Sequence, residues 1–218
     1  MNARALIGSL VALSLIGAIL FGSAGRVDIP EFWVYVAALA GVTVIELLVI
    51  DPDLVQERMR PGGKPLPAGY WLLGLLPVAH WVMAGLDRGR VYWSDTVPLR
   101  MRLIGLVVLV LAQVVILWAM HVNRFFSSVV RIQTERGHHV ITTGPYRWVR
   151  HPGYAAAIPM ILASGLALGS WLATVIGLAG VPLLIVRTLN EEAVLQRDLP
   201  GYADYARQVR FRLVPFVW

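Results

Sequence analysis

The chain has 218 residues, of which 57% are hydrophobic and only 15% are charged. Because about a quarter of the residues in a soluble domain are charged, this composition excludes a soluble globular protein and predicts an integral membrane protein. The lack of cysteine excludes disulfides, thiolate nucleophiles and cysteine-based zinc sites. The net charge of +6 comes from arginines spread over the loops, which favours contact with anionic lipid over binding to nucleic acid.

Apolar stretches that are long enough to cross a bilayer follow one another along the chain. A helix rises about 1.5 Å per residue, so about 20 residues cover the roughly 30 Å of hydrocarbon. The last stretch, 152–186, is too long for one crossing and is interrupted at Gly169 and Ser170. We interpret it as two helices joined by a tight turn. The sequence therefore predicts an all-α polytopic membrane protein with about six transmembrane helices, the last two forming a hairpin: 5–25, 32–50, 66–86, 103–120, 153–168 and 170–186.

The predicted spans divide the chain into two parts. Residues 1–120 hold four spans and a polar loop near 51–68. We expect this loop to lie on the cytoplasmic side. The first span is too long for a secretory signal and another span follows at once, so we expect it to be retained. Residues 121–218 hold a polar loop region, the hairpin, and a polar helix through 196. A turn at Pro200 and Gly201, a short amphipathic helix and a tail follow.

The positions of the arginines predict the orientation in the membrane. Arginines cluster in 121–150 and after the last span, and basic loops face the cytoplasm. One loop disagrees, because 87–102 carries four arginines and on this count lies on the opposite side. Inside the third span, we expect His80 to be hydrogen-bonded to a neighbouring helix.

The polar region before the hairpin has no spanning capacity. RIQTERGHHVITTGPY, residues 131–146, alternates apolar and polar residues in two short arms, which is typical of a small hairpin or an irregular loop. Irregular backbone near membrane depth is tolerated only where it is buried in protein or lines a cavity. We therefore expect this segment to line a cavity.

Polar residues also stand at both ends of the hairpin. GPYRWVRHPGY, residues 144–154, leads into its first helix, and Pro152 suits the first turn of a helix, where free N–H groups attract negative charge. Arg187 and Glu191 are four residues apart on one face of its second helix, whereas Glu192 points about 100° away. Because both ends of a hairpin lie on one side of the membrane, we expect these groups to converge: Arg150, His151, Tyr154, Arg187 and Glu191.

The signatures of common soluble cofactor sites are absent. The chain has no GxGxxG after a strand, no GxxxxGK[ST] and no HExxH, so a dinucleotide fold, a P-loop and a zinc peptidase are unsupported. His138, His139 and His151 lack a patterned carboxylate partner, so we expect no metal site.

The motifs of the second part occur in a recognisable order. Gln133 is followed by GPYRWVRHPGY, an apolar hairpin, RTLNEE at 187–192 and GYADYARQVRFRLVPF at 201–216. This series strongly resembles the isoprenylcysteine carboxyl methyltransferase family and the related membrane phospholipid methyltransferases, over roughly residues 120–218. DPDLVQERMRP, at 51–61, is a weaker element of the resemblance. The pairing of RHPxY with RxxxEE is the specific part.

The resemblance implies a cofactor, S-adenosylmethionine, bound in a pocket that this region forms beside the bilayer. Arg187 matches the arginine on the substrate side, and we assign it and Arg150 as catalytic residues. Arg150 or the amides near Pro152 would meet the cofactor carboxylate, and Trp148 is one of three aromatic side chains that could flank its ring or sulfonium. The positions assigned to cofactor binding are Gln133, His138, Val140, Ile141, Tyr146, His151, Pro152, Tyr154 and Glu191.

The function implied is S-adenosylmethionine-dependent methyl transfer to a lipophilic acceptor at the membrane interface, most like carboxyl O-methylation of an isoprenylcysteine. We expect the inner membrane of a bacterium, with the site facing the cytoplasm. A carboxylate acceptor needs no base, whereas an amine would pass a proton to a group such as His151 or Glu192. The alternatives are an NADPH-dependent membrane sterol reductase, which is similar in this region, and a non-catalytic membrane scaffold. The acceptor and the oligomeric state stay open.

Overall fold

The structure is a computed structural model that describes residues 3–62 and 72–218. Within these residues it is all-helical and contains no strand, as predicted. The start of the third predicted span, 66–71, and part of the predicted loop near 51–68 lie outside the described residues. The α-helices of the described part are α1 (Ala3–Ala24), α2 (Pro30–Val49), α3 (Pro52–Met59), α4 (Leu72–Leu86), α5 (Leu99–Val122), α6 (Pro152–Leu168), α7 (Trp171–Leu178), α8 (Gly180–Asp198) and α9 (Tyr202–Gln208).

Four helical stretches of the described chain are long and apolar enough to cross a membrane. They are α1, α2, α5 and the stretch Trp171–Asp198 that α7 and α8 form together. Helix α6 is a shorter apolar helix of 17 residues, and the described α4 has 15. These apolar helices are those of an integral membrane protein. The total of six crossings stays a prediction.

The tight turn predicted inside the last apolar stretch is present. Helix α6 ends at Gly169, which adopts a left-handed φ of 79°, and the hydroxyl of Ser170 accepts a hydrogen bond from the amide of Ala173 to cap α7. The second arm is divided between α7 and α8, because Pro182 has no N–H and its ring would clash with the carbonyl of Leu178 four residues back. Helix α8 then continues from the apolar span into the predicted polar helix.

A hydrogen-bonded chain of side chains links four helices in the interior. The Nδ1 atom of His80 lies 2.8 Å from the Ala173 carbonyl, which can only accept, so Nδ1 carries the proton. The Nε2 atom then accepts from the hydroxyl of Ser164, at 2.8 Å. Ser164 in turn bonds to Tyr35, and Tyr35 accepts from Trp81. The expectation that His80 is hydrogen-bonded to a neighbouring helix is confirmed.

Three of the four arginines in the loop at 87–102 are bonded to other groups of the protein. Arg88 lies 2.7 Å from Glu31 and 3.3 Å from Asp95, and Arg102 also pairs with Glu31. Arg90 donates to a carbonyl at the end of α1. These partners neutralise or satisfy the charges locally, which is a physical reason why this loop departs from the expected distribution of basic residues.

The opposite end of the bundle brings together the elements that frame the polar loop region. Helices α5 and α6 pack along each other, so the end of α5 lies beside the start of α6. Helix α3 packs there through Leu54, which is buried in a cluster with Val42 of α2 and Leu117 of α5. Helix α9 closes the same end, with Tyr202 and Tyr205 buried against the polar end of α8.

Candidate functional site

A cavity of about 480 Å³ opens at this end of the bundle. Its walls are the loop that follows α5, the start of α6, the polar half of α8 and the tyrosines of α9. The irregular loop therefore does line a cavity, as its sequence predicts. Ten of the residues that were assigned to the site from sequence line this cavity: His138, Val140, Ile141, Tyr146, Arg150, His151, Pro152, Tyr154, Arg187 and Glu191.

The two ends of the hairpin meet at one wall of the cavity. Tyr154 of α6 donates a 2.7 Å hydrogen bond to the carboxylate of Glu191, and Arg187 donates through Nε to the Tyr154 hydroxyl, also at 2.7 Å. Arg187 also donates to the carbonyl of Ser128 in the loop. The Glu191 side chain keeps 28% of its surface exposed. A carboxylate and a guanidinium are thus fixed side by side at the cavity wall.

The second acid, Glu192, is the centre of a buried cluster behind that wall. Its carboxylate lies 2.7 Å from a guanidinium nitrogen of Arg150 and 2.7 Å from Nε2 of His151. Tyr202 and Gln196 also donate to it. Arg150 additionally donates to two carbonyls of the C-terminal segment, at 2.6 and 2.9 Å. These contacts give Arg150 a positioning role, and the direct catalytic role assigned from sequence stays a prediction.

The imidazole of His151 lies between the two acids. Its Nδ1 is 3.7 Å from Glu191 and its Nε2 is 2.7 Å from Glu192. Burial alone would lower the pKa of His151, but the nearby carboxylate of Glu191 and the hydrogen bond to Glu192 outweigh burial and raise the pKa above its usual 6.5. The protonated form of His151 is therefore the one that the folded protein stabilises.

We expect this histidine to make stability depend on pH. Because its pKa is raised on folding, the stabilisation is fully present below about 6.5 and is lost as the pH rises through the folded-state value. His151→Gln should therefore be clearly less stable than the wild type near pH 6, and the difference should shrink as the pH rises through the folded-state value. Detergent-induced unfolding across this range measures both slopes. His121→Gln, at an exposed histidine, should keep the wild-type slope, and a His151→Gln deficit that does not change with pH would contradict the assignment.

The loop is held over the cavity by helix α3. Arg131 bonds to Glu57 at 2.9 Å, and Arg136 bonds to Asp53 at 2.6 Å. The Glu57 side chain is only 8% exposed, so its pair is screened much less than an exposed one. The element DPDLVQERMRP, which sequence linked only weakly to the site, thus supplies the acids that fix the loop.

The imidazole of His138 forms part of the opposite wall. It stacks on the Phe125 ring, with centroids 4.5 Å apart, and its Nδ1 accepts from the Gln133 amide at 3.2 Å. Burial, with the neighbouring charge of His139, lowers the pKa of His138 to about 4. His138 is therefore neutral at physiological pH, and the proton on its Nε2 makes that atom a hydrogen-bond donor.

Two of the residues that were expected to touch a cofactor do not line the cavity. Gln133 is 1% exposed, and its amide group donates to the Phe125 carbonyl at 2.8 Å, so it supports the loop from beneath. Trp148 is 53% exposed and lies edge-on to Trp118, with ring centroids 5.6 Å apart. The contacts of these two side chains with a cofactor therefore stay predictions.

Several cavity residues were not found from the sequence. Arg58 of α3 reaches the cavity over the Phe126 ring, 5.6 Å from its centroid. The Phe126 ring in turn lies so close to Gly153 that a Cβ atom there would approach it to 2.6 Å. Asn123 donates to the hydroxyl of Tyr146 at 2.9 Å. Of these residues, Arg58 lies in DPDLVQERMRP, the weaker element of the resemblance, and no motif singled out Asn123 or Phe126.

The arrangement of the helices is that of a solved membrane protein. The chain has the fold of the eukaryotic intramembrane Ras methyltransferase ICMT (isoprenylcysteine carboxyl methyltransferase), with a TM-score of 0.63. The match covers 98% of this chain and 77% of that chain at 19% sequence identity, a level at which only the fold is established. The shared fold therefore extends over nearly the whole chain and is not limited to the hairpin.

The sequence match is to the isoprenylcysteine carboxyl methyltransferase (ICMT) family, whose model matches residues 103–197. A probable protein-S-isoprenylcysteine O-methyltransferase of Oryza sativa subsp. indica is 31% identical over 117 residues, which are 52% of this chain and 61% of that protein. The nickel-cobalt-cadmium resistance protein NccN of Alcaligenes xylosoxydans xylosoxydans is 28% identical over 142 residues, 64% of this chain and 61% of that protein. The resemblance to the family is thus confirmed, and the chain spans about three fifths of the length of these curated relatives.

Proposed function

We propose that the protein transfers a methyl group from S-adenosylmethionine to a lipophilic acceptor at the membrane interface, most like carboxyl O-methylation of an isoprenylcysteine. The observation that carries this proposal is the meeting of Glu191, Tyr154 and Arg187 at the wall of one cavity. All three residues lie within the segment 103–197 that matches the family. The relatives that are named as methyltransferases support a methyltransferase function for this site.

The charged groups of the cavity fit those of the cofactor. A volume of about 480 Å³ is within the roughly 300–1,000 Å³ of small-molecule sites. Glu191 offers a partly exposed carboxylate to the cofactor ammonium. Arg150 is bound to Glu192 and to two carbonyls, so the first-turn amides of α6, at Gly153 and Tyr154, are the better partners for the cofactor carboxylate.

The opposite wall suits an adenine ring. The neutral imidazole of His138 presents an Nε2 donor, and Val140 and Ile141 add apolar surface beside it. Tyr146 is buried and held by Asn123, so its ring has a fixed orientation at the cavity. These residues would bind the base by stacking and by one directed hydrogen bond, without a change in protonation.

Arg187 would orient the acceptor. When bound, S-adenosylmethionine supplies an electrophilic methyl group, and a carboxylate acceptor needs no base to receive it. The protein then has to align the acceptor with the cofactor methyl group and to exclude water. Arg187 is suited to alignment because Tyr154 and the Ser128 carbonyl fix its guanidinium at the wall. A carboxylate near this guanidinium would be held by charge-assisted hydrogen bonds.

We further propose that residues 121–218 form the methyltransferase core and that 1–120 form its membrane scaffold. The arginine-rich loop and tail support a cavity on the cytoplasmic side under the positive-inside rule, and the proposed membrane is the inner membrane of a bacterium. Helix α3 belongs to the site in this proposal, because its acids hold the loop.

The proposal is tested with the purified protein in lipid nanodiscs. Transfer of tritium from methyl-labelled S-adenosylmethionine is measured into a farnesylated cysteine derivative, into an amine phospholipid and into a hydrophobic thiol. We expect saturable cofactor binding and transfer to the prenylated carboxylate. Thermal stabilisation by NADPH instead of S-adenosylmethionine would favour the reductase alternative, and the absence of any cofactor binding would favour the scaffold.

Arg58 provides a separate prediction about the acceptor. Arg58 and Arg187 both line the cavity, and burial lowers the pKa of Arg58. If both guanidinium groups face an anionic acceptor, Arg58→Gln should raise the acceptor KM by about tenfold or more, because a hydrogen bond to a charged group is worth about 1.5–3 kcal/mol. The cofactor Kd should stay within about twofold.

The control for this variant lies two residues away. Arg60 is exposed at the end of α3, so Arg60→Gln should leave both constants unchanged. An unchanged acceptor KM in Arg58→Gln, with normal cofactor binding, would remove Arg58 from the acceptor site.

A further inference from the structure

The C-terminal segment, residues 209–218, is attached to the chain immediately before α6. The amide of Arg150 donates to the Phe211 carbonyl and the amide of His151 donates to the Arg212 carbonyl, both at 2.9 Å. Leu213, the next residue, is 4% exposed. The segment is thus held by backbone hydrogen bonds to the two residues that precede the first turn of α6.

Beyond Leu213 the segment folds back in a tight turn that presents apolar side chains outward. The amides of Leu213 and Val214 both donate to the Trp218 carbonyl, and Pro215 and Phe216 occupy the turn. Phe216 has a φ of 65°, a left-handed conformation that is uncommon for a residue other than glycine. The turn leaves the side chains of Phe216 and Val217 90% and 78% exposed.

The level of this turn in the membrane follows from its attachment. Helix α6 has 17 residues and so is about 25 Å long, shorter than the roughly 30 Å of hydrocarbon. Its first turn, if α6 crosses the bilayer, therefore lies at the edge of the hydrocarbon. The C-terminal turn follows Phe211 and Arg212, which are bonded to the two residues before α6, so it lies near the same level. Trp118 and Trp148, near this level, are 41% and 53% exposed, as expected of aromatic residues at the membrane interface.

The charge of the segment matches a lipid surface. Residues 205–218 contain three arginines and no acidic residue. Arg210 is exposed, and Arg212 lies over the Trp218 ring, 5.4 Å from its centroid. Arg207, Arg210 and Arg212 line an open depression beside the turn. Cations around exposed apolar side chains fit the phosphates and acyl chains of an anionic bilayer.

We propose that the 209–218 segment docks onto the anionic membrane surface, with Phe216 and Val217 inserted among the lipids and Arg210 at their phosphates. Through its hydrogen bonds to residues 150 and 151, the docked segment keeps the start of α6 in place at the cavity. The docking is independent of the reaction that the cavity performs.

The lack of native cysteine makes a direct depth measurement straightforward. Val217→Cys is labelled with a nitroxide in nanodiscs that hold one protein and a mixture of phosphatidylcholine and phosphatidylglycerol. Electron paramagnetic resonance then compares collisions of the label with oxygen and with a water-soluble nickel chelate. We expect the label to meet oxygen more often than nickel, whereas a label at Asp204→Cys, an exposed position on α9, should show the reverse.

Two further samples separate the lipid from other occupants of this surface. In Arg210→Gln, or in discs of phosphatidylcholine alone, the label at 217 should become several-fold more accessible to nickel. A label at 217 as accessible to nickel as the one at 204 would overturn the proposal. Protection that occurs only when two copies share a disc would overturn it too, in favour of contact between copies of the chain.

Discussion

Replacing Glu192 with alanine is expected to lower the free energy of unfolding by about 3–5 kcal/mol. The carboxylate is 4% exposed and lies 2.7 Å from both Arg150 and His151. Removing it leaves a buried guanidinium and a buried imidazole without their shared counter-ion, and Tyr202 loses its acceptor. The loss of a partner of a buried charge costs far more than the net contribution of the ion pair itself.

Denaturing-detergent titration, followed by far-ultraviolet circular dichroism, measures this effect. Glu135→Ala is the matched control, because Glu135 also pairs with an arginine but its side chain is 56% exposed, and it should cost less than about 1 kcal/mol. Combining Glu192→Leu with Arg150→Met should cost less than the sum of the two single changes, since the pair is removed as a unit. If Glu192→Ala unfolds like the control, the buried cluster does not hold the hairpin ends together.

The length and composition of apolar stretches were enough to predict the helical membrane class. The turn at Gly169 was also predictable, because a glycine and a serine interrupt an apolar run that is too long for one helix. The division of the second arm was not predicted, although Pro182 marks it in the sequence. A proline weakens a helix through its effect four residues upstream but does not always end it, since Pro77 and Pro159 lie inside α4 and α6.

The convergence of the hairpin ends followed from topology and from helical spacing. Arg187 and Glu191 share a face because they are four residues apart, and Glu192 points away from them toward Arg150 and His151. The direction of side chains in the irregular loop has no such period. Gln133 was therefore placed by resemblance and Trp148 by its aromatic character, and the structure buries Gln133 and turns Trp148 outward.

Contacts between distant parts of the chain could not be read from local patterns. Nothing in the sequence near the polar helix α3 indicates that Asp53 and Glu57 bind arginines more than 70 residues later. The same is true of Glu31, which binds Arg88 and Arg102 at the other end of the bundle. Long-range ion pairs depend on how helices are arranged, and helix arrangement is fixed by packing across the whole membrane domain.

Replacing Glu191 with glutamine is expected to weaken the binding of S-adenosylmethionine by about tenfold to a hundredfold, since a hydrogen bond to a charged group contributes about 1.5–3 kcal/mol. The amide oxygen of glutamine can still accept from Tyr154, so the wall between α6 and α8 should keep its shape. The change therefore removes the negative charge from the cavity and keeps the contact with Tyr154. Asp198→Asn, at the exposed end of the same helix, should leave binding unchanged.

Binding of the reaction product, S-adenosylhomocysteine, shows which part of the cofactor the Glu191 carboxylate faces. S-adenosylhomocysteine keeps the ammonium of the cofactor but lacks the sulfonium, so a Glu191 that faces the ammonium affects both ligands. Isothermal titration of wild type and Glu191→Gln with each ligand should then give the same loss of affinity for cofactor and product. A loss confined to S-adenosylmethionine would place Glu191 beside the reacting sulfur instead. Equal affinity of wild type and variant for both ligands would mean that the carboxylate at this wall serves only to hold Tyr154 and His151.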